Sequence, residues 1–321
     1  MSKRWFLLFA AAASAAACMP ETSAPKQELK DIRSFPRFFS QEIVTRRKVA
    51  GLDLKIYDTG SVTVPGDLIS EVKSPQSRVK LSIPVFVLRH PTQGLVLFDA
   101  GLPPVDADRR QDKDEEFGAP FESAPGQDLV AQLRRDQIKP EDVRWIILSD
   151  LHWEHVGRLD AFPAATVVVD RREWEAQVQQ TKVAAGPEEF DPAAMEPKLR
   201  LRLLDMARAP YYGVFDYGLD LFKDGSVIVL DLSGHRPGGL GLWINLDSGP
   251  VLLAGDASYV LDNCQDLALP KRQTMSDPGQ YWRKLNMMNQ MAKELPQLVI
   301  FPGHDLMPLK IQPRPDISLA P

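Results

Sequence analysis

Residues 148–159 read LSDLHWEHVGRL and place four potential metal ligands within six positions, directly after the apolar run VRWII. These ligands are Asp150, His152, Glu154 and His155. They are either parts of a metal site or two core histidines with solvated acids beside them. The segment alone does not decide between these interpretations, so the remaining ligands must be sought elsewhere in the chain.

Three further candidate ligands follow predicted strand ends. His235 follows VIVLDLSG, Asp256 follows VLLAG and His304 follows LVIFPG. A strand end holds a side chain rigidly, while the loop after it stays open to substrate. The pattern therefore predicts that these side chains meet at one metal centre. Mixed imidazole and carboxylate ligands suit Zn²⁺, with Fe, Mn or Co as alternatives.

The spacing also predicts how the ligands are shared between two ions. Residues 150 and 152 face one ion, completed by His235, whereas residues 154 and 155 turn toward a second ion, completed by His304. Asp256 then lies between the ions. Two divalent ions roughly 3.5–4 Å apart share a hydroxide and hold it as a nucleophile at neutral pH.

This ordered set resembles the metallo-β-lactamase superfamily and, within it, the N-acyl homoserine lactonases. The superfamily motif His-x-His-x-Asp-His is matched by residues 150–155, and Gly-His-x-Pro-Gly by residues 234–238. Its Gly-Asp and late Gly-His are matched by residues 255–256 and 303–304. The early Asp-Thr-Gly appears as residues 99–101, which implies that Asp99 orients metal ligands.

The resemblance covers roughly residues 50–310 and implies an α/β fold, an αββα sandwich of two mixed β-sheets packed face to face with helices outside. The residue pattern agrees, because short strands rich in Val, Ile and Leu alternate with helical patterns. Those helical patterns span residues 126–138, 171–181 and 278–295.

The resemblance also implies a reaction. Asp256-Ala257-Ser258-Tyr259 and the sequence FPGHD are similar to the lactonases, so Tyr259 and Asp256 are the expected catalytic residues. The expected function is metal-dependent hydrolysis of lactone or ester bonds, on substrates like N-acyl homoserine lactones. A hydroxide bridging two divalent ions attacks the carbonyl, and the Tyr259 hydroxyl donates a hydrogen bond to the oxyanion.

Two positions depart from the superfamily motif. Asp150 replaces its first histidine, and Glu154 replaces its aspartate. Asp150 adds negative charge, which lowers the Lewis acidity of its ion, and Glu154 is longer by one methylene. Both side chains can coordinate a metal, which favours a retuned site over an abandoned one.

Alternative functions remain open at this stage. A hydrolase of the same fold could act on β-lactams, thioesters or organophosphates, because nothing local in the sequence excludes them. A different class is a degenerate, lipid-anchored binding protein that holds no metal. Metal analysis separates the two classes.

The first residues indicate export. Lys3 and Arg4 precede an apolar stretch from Trp5 to Ala17, which is followed by Cys18; this is typical of a secretory signal peptide and resembles a lipoprotein signal. We expect residues 1–17 to be the signal peptide, with Cys18 lipidated, residues 18–45 a tether, and residues 46–321 the hydrolase domain. The expected location is the periplasm or outer membrane, with a lipid anchor in the membrane; a plain cleaved signal and an uncleaved anchor are the alternatives.

Composition limits the partners. The 321 residues carry a formal charge of −5 with no long basic run, so nucleic acid is not an expected partner and a small-molecule lactone or ester is. The two cysteines, Cys18 and Cys264, provide no disulfide framework if Cys18 carries lipid. We expect Cys264 to be a small buried residue and His90, which matches no motif, to be structural.

Overall fold

The computed structural model describes residues 49–104, 118–183, 190–212 and 215–321. The predicted signal peptide and the tether at residues 18–45 lie outside these described residues. Within the described residues, the strands form one eight-stranded and one five-stranded sheet.

The larger sheet has the strand order β13-β1-β2-β3-β5-β6-β7, and β4 pairs with β1. Its strands are β1 Asp53–Pro65, β2 Arg78–His90, β3 Gly94–Phe98, β4 Phe121–Glu122, β5 Val143–Ile147, β6 Thr166–Asp170, β7 Arg200–Leu204 and β13 Ile317–Leu319. The smaller sheet has the order β12-β11-β10-β9-β8. Its strands are β8 Gly218–Asp220, β9 Val227–Asp231, β10 Leu240–Leu246, β11 Gly249–Leu253 and β12 Val299–Phe301.

The helices connect the strands and cover the outer faces of the sheets. They are α1 Gly66–Ile69, α2 Leu129–Arg135, α3 Trp153–Val156, α4 Arg171–Val183, α5 Pro192–Met195, α6 Leu261–Asp266, α7 Pro278–Glu294 and α8 Met307–Ile311. The helical patterns at 171–181 and 278–295 are confirmed to within two residues. The helix predicted over 126–138 is shorter, because the Asp128 side chain accepts a hydrogen bond from Ala131 N and caps the helix at that point.

The two sheets pack face to face, as predicted. Apolar side chains from both inner faces form one core, in which the rings of Phe86 and Phe301 meet edge to face at 5.4 Å. The outer face of the smaller sheet, including Trp243, packs with residues of α7 such as Met288. The outer face of the larger sheet packs with α2 and α4. This arrangement is the αββα sandwich.

The prediction that the strands are short is wrong for β1 and β2, which have 13 residues each. The apolar run of β1 ends in the sequence at Asp58-Thr59-Gly60, but the strand continues past it through a shift in register between Asp58 and Ser61. Such a bulge inserts an unpaired residue and bends the strand without ending it. The sequence pattern therefore marks a bend in β1 and not its end.

Candidate metal centre

The candidate ligands follow the carboxyl ends of four strands. Asp150 comes three residues after β5, and the next turn of chain leads into α3, which carries Glu154 and His155. His235 follows β9, Asp256 lies in a short 3₁₀ turn after β11, and His304 follows β12. The two sheets thus deliver these side chains to one end of the sandwich.

Four of the seven predicted ligands form a first set, made by Asp150, His152, His235 and Asp256. Their ligand atoms all lie within 4.8 Å of one another. His235 Nε2 is 3.1 Å from His152 Nδ1 and 3.6 Å from Asp256 Oδ2. His152 is partly exposed, so this set borders solvent.

Asp256 also belongs to a second set, with Glu154, His155 and His304. These ligand atoms likewise lie within 4.8 Å of one another, and all four residues are buried. His304 Nε2 lies 3.2 Å from Asp256 Oδ1, and His155 Nε2 lies 3.5 Å from Asp256 Oδ2. The structure therefore brings all seven predicted residues together, with Asp256 common to both sets.

Hydrogen bonds on the outer side of the rings fix how three histidines face the centre. His235 Nδ1 lies 2.7 Å from the Thr274 carbonyl oxygen, and His304 Nδ1 lies 2.9 Å from that of Ser82. A carbonyl oxygen only accepts, so each Nδ1 carries the hydrogen, and in the neutral ring Nε2 presents its lone pair inward. This is the tautomer that a metal-binding histidine requires.

Asp99 has the same effect on the third ring, as the resemblance implied. Its Oδ2 lies 3.0 Å from His155 Nδ1, and its two oxygens accept hydrogen bonds from the backbone nitrogen and hydroxyl of Ser149, at 2.7 and 2.9 Å. Asp99 thereby joins the end of β5 to His155.

The carboxylates and histidines of the centre shift the pKa values of one another. Burial by itself raises the pKa of Asp256, but the neighbouring His304 and His155 hold it well below its usual range. Burial likewise lowers the pKa of His304, but Asp256 raises it to about 9. The three carboxylates of the two sets thus create a site that stabilises positive charge, whether it comes from protons or from cations.

The residues present fit divalent metal ions. Each set offers two imidazoles and two carboxylates, which is a donor set typical of Zn²⁺ and also of Fe, Mn or Co. The buried His155 Nε2 forms no hydrogen bond with the described residues, although its ring is fixed by Asp99. A buried nitrogen that is oriented but left without a hydrogen bond is a ready ligand position.

Gly303 is required at its position by the space beside Asp256. A Cβ atom built on Gly303 would lie 2.3 Å from Asp256 Oδ1, closer than non-bonded atoms approach. Only glycine lets the chain pass so near the shared carboxylate before it reaches His304.

Tyr259 lies beside both sets and is fully buried. Its hydroxyl is 3.1 Å from His235 Nδ1, and its ring stacks with that of His304 at a centroid distance of 5.9 Å. Because the hydrogen on His235 Nδ1 points to the Thr274 carbonyl, this nitrogen cannot accept a hydrogen bond from Tyr259.

Two residues that are adjacent to ligands in the sequence, Asp305 and Trp153, have contacts that define their roles. Asp305 accepts hydrogen bonds from Leu261 N at 3.1 Å and Met307 N at 2.8 Å, so it is a turn acid that holds the chain after His304. Trp153 packs on Phe121, with ring centroids 5.4 Å apart.

His90 is structural, as expected. Its Nδ1 accepts hydrogen bonds from Thr92 N and Gln93 N, both at 3.2 Å, so its hydrogen is on Nε2. That nitrogen lies 3.0 Å from Ser226 Oγ and 3.3 Å from Asp224 Oδ2. A histidine that donates to a serine cannot act as its base, so this buried trio is not a nucleophile.

Some supporting groups carry no signal in the sequence. The carbonyl oxygens of Ser82 and Thr274 belong to the backbone, and Glu173 is one of two acids in α4. Of the four aromatic residues at 211–217, Phe215 is buried against Trp243 and is part of the core.

Comparison with known proteins adds independent information on this architecture. The sequence profile described as the metallo-beta-lactamase superfamily matches residues 79–304, more than half of the chain. The chain belongs to the metallo-β-lactamase superfamily. The match begins in β2 and ends at His304, so it includes all seven candidate ligands.

Curated relatives in the superfamily include lactonases. The N-acyl homoserine lactonase AttM of Azorhizobium caulinodans is 36% identical over 145 residues, which are 44% of this chain and 51% of that protein. The chain thus spans about half the length of AttM. The N-acyl homoserine lactonase AiiA of Bacillus thuringiensis subsp. kurstaki is 27% identical over 237 residues, covering 70% of this chain and 83% of AiiA.

Solved structures share the fold. An N-acyl homoserine lactone hydrolase with the product N-hexanoyl-L-homoserine bound at its catalytic metal centre has a TM-score of 0.64 and 24% identity, covering 82% of this chain and 96% of that one. AidC, a dizinc quorum-quenching lactonase, has a TM-score of 0.52 and 15% identity, covering 80% and 88% of the two chains. At these identities, the likeness supports the superfamily fold.

Proposed function

We propose that this protein is a metal-dependent hydrolase that opens lactone or ester bonds, with N-acyl homoserine lactone-like molecules as its substrates. The observation that carries the proposal is the convergence of seven side chains into two four-residue sets that share Asp256. The relatives AttM and AiiA are N-acyl homoserine lactonases, which supports lactones as the substrate class.

We propose Zn²⁺ as the resident ion at both positions, with Fe, Mn or Co as alternatives. Asp150, His152 and His235 would hold one ion, and Glu154, His155 and His304 the other, with Asp256 contributing to both. Divalent ions in such a centre supply Lewis acidity and activate water at neutral pH.

The protein's own residues complete the chemistry. Tyr259 is placed to donate a hydrogen bond to the negative charge that develops on a substrate oxygen, because its hydroxyl lies 3.1 Å from the ring of the ligand His235, and its own ring stacks with that of the ligand His304. A lactone opens without losing a fragment, so the alkoxide that forms must receive a proton before the product leaves. The proton comes from the water consumed in the hydrolysis, and Tyr259 and the Asp256 carboxylate are the groups that we assign to its relay.

Two measurements on the purified full chain test this function. Elemental analysis should find about two transition-metal ions per chain. A panel of acyl homoserine lactones, simple esters, β-lactams, thioesters and organophosphates should show the highest kcat/KM on a lactone. Turnover confined to another class would reassign the substrate, and a metal-free chain with no turnover would indicate a binding protein.

Replacing Tyr259 by phenylalanine should remove about 1–3 kcal/mol of transition-state stabilisation and so lower kcat/KM for a lactone. The ring remains to stack on His304, so the fold and the bound metal should be unchanged. Steady-state kinetics and metal analysis on the same preparation check this prediction. Unaltered kinetics would assign Tyr259 to packing alone.

We also propose that the protein is exported and attached to the periplasmic side of a membrane through a lipid on Cys18. The basic pair Lys3 and Arg4, the apolar stretch and the small residues before Cys18 support this proposal. No helix within the described ranges is long and apolar enough to cross a membrane.

Replacing Cys18 by serine should therefore move the full-length protein from the membrane fraction of expressing bacteria to the soluble periplasmic fraction. Cys264→Ser is the matched control, because this buried thiol lies in the folded domain and should not affect fractionation. Fractionation followed by immunoblotting checks the result. Membrane attachment that survives Cys18→Ser would point to the uncleaved apolar segment as the anchor.

A further inference from the structure

A buried carboxylate outside the two ligand sets connects the chain segments that form the first set. Glu173 lies in the first turn of α4 and is fully buried. Its Oε1 accepts hydrogen bonds from Arg236 Nε at 2.7 Å and from Leu151 N at 3.3 Å. Its Oε2 accepts one from Gly238 N at 3.3 Å.

These contacts reach both segments that supply the first set. Leu151 lies between Asp150 and His152, and Arg236 directly follows His235. The three ligands that belong only to this set therefore lie next to residues bound by one carboxylate. The second set has different supports, since Asp99 holds His155 and the Ser82 carbonyl holds His304.

We infer that Glu173 is the positioning residue for the first metal position, where it fixes the segment of Asp150 and His152 against the segment of His235. This inference rests on the metal centre proposed above. Glu173 should therefore affect how tightly the ion of the first set binds and leave the ion of the second set unaffected.

Packing around Glu173 leaves the two segments little freedom to move. A Cβ atom on Gly238 would lie 2.5 Å from Glu173 N, so the His235 segment rests directly on the start of α4. The Arg236 guanidinium is also held by Gln177 Oε1 at 2.8 Å and Gln180 Oε1 at 3.2 Å. The carboxylate is thus the centre of a rigid contact between a helix and two ligand segments.

Glutamine is the informative replacement because it keeps the volume of the side chain and removes one acceptor. Glu173 uses both oxygens to accept hydrogen bonds from three donors. In Glu173→Gln, an amide NH₂ must face either Gly238 N–H or the pair formed by Arg236 and Leu151. Two donors facing each other leave buried groups unpaired, so one of the ligand segments must move.

The test measures zinc binding to the metal-stripped full chain, by titration against a chelator of known affinity. Wild type and the control Glu175→Gln, an exposed acid on the same helix, should bind two ions alike. In Glu173→Gln, one ion should bind about 10–100-fold more weakly, as is usual when a group supporting a metal ligand is lost, and the other should be unchanged.

Two further backgrounds assign the weakened ion. His304→Ala removes a ligand of the second set only, so adding Glu173→Gln should weaken the ion that remains by the same factor. Asp150→Ala removes a ligand of the first set, so adding Glu173→Gln should have no further effect. Equal weakening of both ions, or unchanged affinity in the His304→Ala background, would overturn the inference.

A second variant, Arg236→Lys, tests the inference if Glu173→Gln does not fold. Arg236→Lys keeps the positive charge beside Glu173, but a lysine cannot donate to Glu173, Gln177 and Gln180 with the geometry of a guanidinium. In Arg236→Lys, one ion should again bind more weakly than in wild type. If both ions were weakened by the same factor in this variant, the inference would be contradicted. Wild-type protein that binds no zinc would instead contradict the proposed function.

Discussion

Asp256→Asn is expected to abolish lactone hydrolysis and to reduce the bound metal from about two ions per chain to less than one. Asp256 is the only residue common to both ligand sets, with Oδ1 3.2 Å from His304 Nε2 and Oδ2 3.6 Å from His235 Nε2. An asparagine has the same shape but lacks the negative charge and one of the two acceptor oxygens. One ion therefore loses its oxygen ligand, and both ions lose the negative charge of the shared carboxylate.

The measurement combines elemental analysis with kcat/KM on the best lactone, and a loss of at least about 10⁴-fold is expected when such a centre is dismantled. Asp266→Asn is the matched control, because this exposed acid at the end of α6 belongs to neither ligand set and its replacement should leave both ions bound. Circular dichroism and thermal unfolding should show that the fold of Asp256→Asn persists. Full activity in Asp256→Asn would refute the assignment of the centre.

Gly303→Ala should have the second largest effect, through a single added methyl group. Its Cβ would lie 2.3 Å from Asp256 Oδ1, so either the shared carboxylate or the chain that carries His304 must move by about 1 Å to reach normal contact. Displacements of this size at reacting groups cost on the order of 10²-fold in rate. We expect both weaker metal binding and a loss of kcat of about that size.

The control for Gly303→Ala is Gly279→Ala in the first turn of α7. A Cβ atom at Gly279 would meet nothing nearer than Asp277 Oδ1 at 3.3 Å, and alanine favours the helix. Kinetics and metal analysis of the two variants side by side check the prediction. Equal activity in both would show that the chain near Asp256 relaxes more readily than the packing indicates.

Much of the site could be predicted because its ligands are short-range features of the sequence. Residues 150–155 and the three later ligands each follow an apolar run, and the structure brings all seven together. The helix α4, predicted over 171–181, ends only two residues later. These features depend on local periodicity, which any reader of the chain can count.

Other features could not be predicted because they depend on contacts between distant segments. The extent of β1 past Asp58 depends on its pairing with β2, which keeps the strand continuous across a bulge that looks like an end in the sequence. Glu173 has no motif of its own, and its contacts with Leu151 and Gly238 span 22 and 65 residues. An acid in a helix is ordinarily solvated, so only the fold distinguishes this one.

The sequence by itself determined which side chains are available to bind cations and that strands deliver them, since ligand type and strand pattern are properties of the chain. Only the tertiary structure decided which nitrogen of each histidine faces inward, because the Thr274 and Ser82 carbonyls and the Asp99 carboxylate that fix the rings come from other parts of the fold. The ligand spacing predicted that Asp256 is shared, but only the tertiary structure sets its distances to the members of both sets. A common ligand is a matter of distances in space, and those are set when the two sheets pack together.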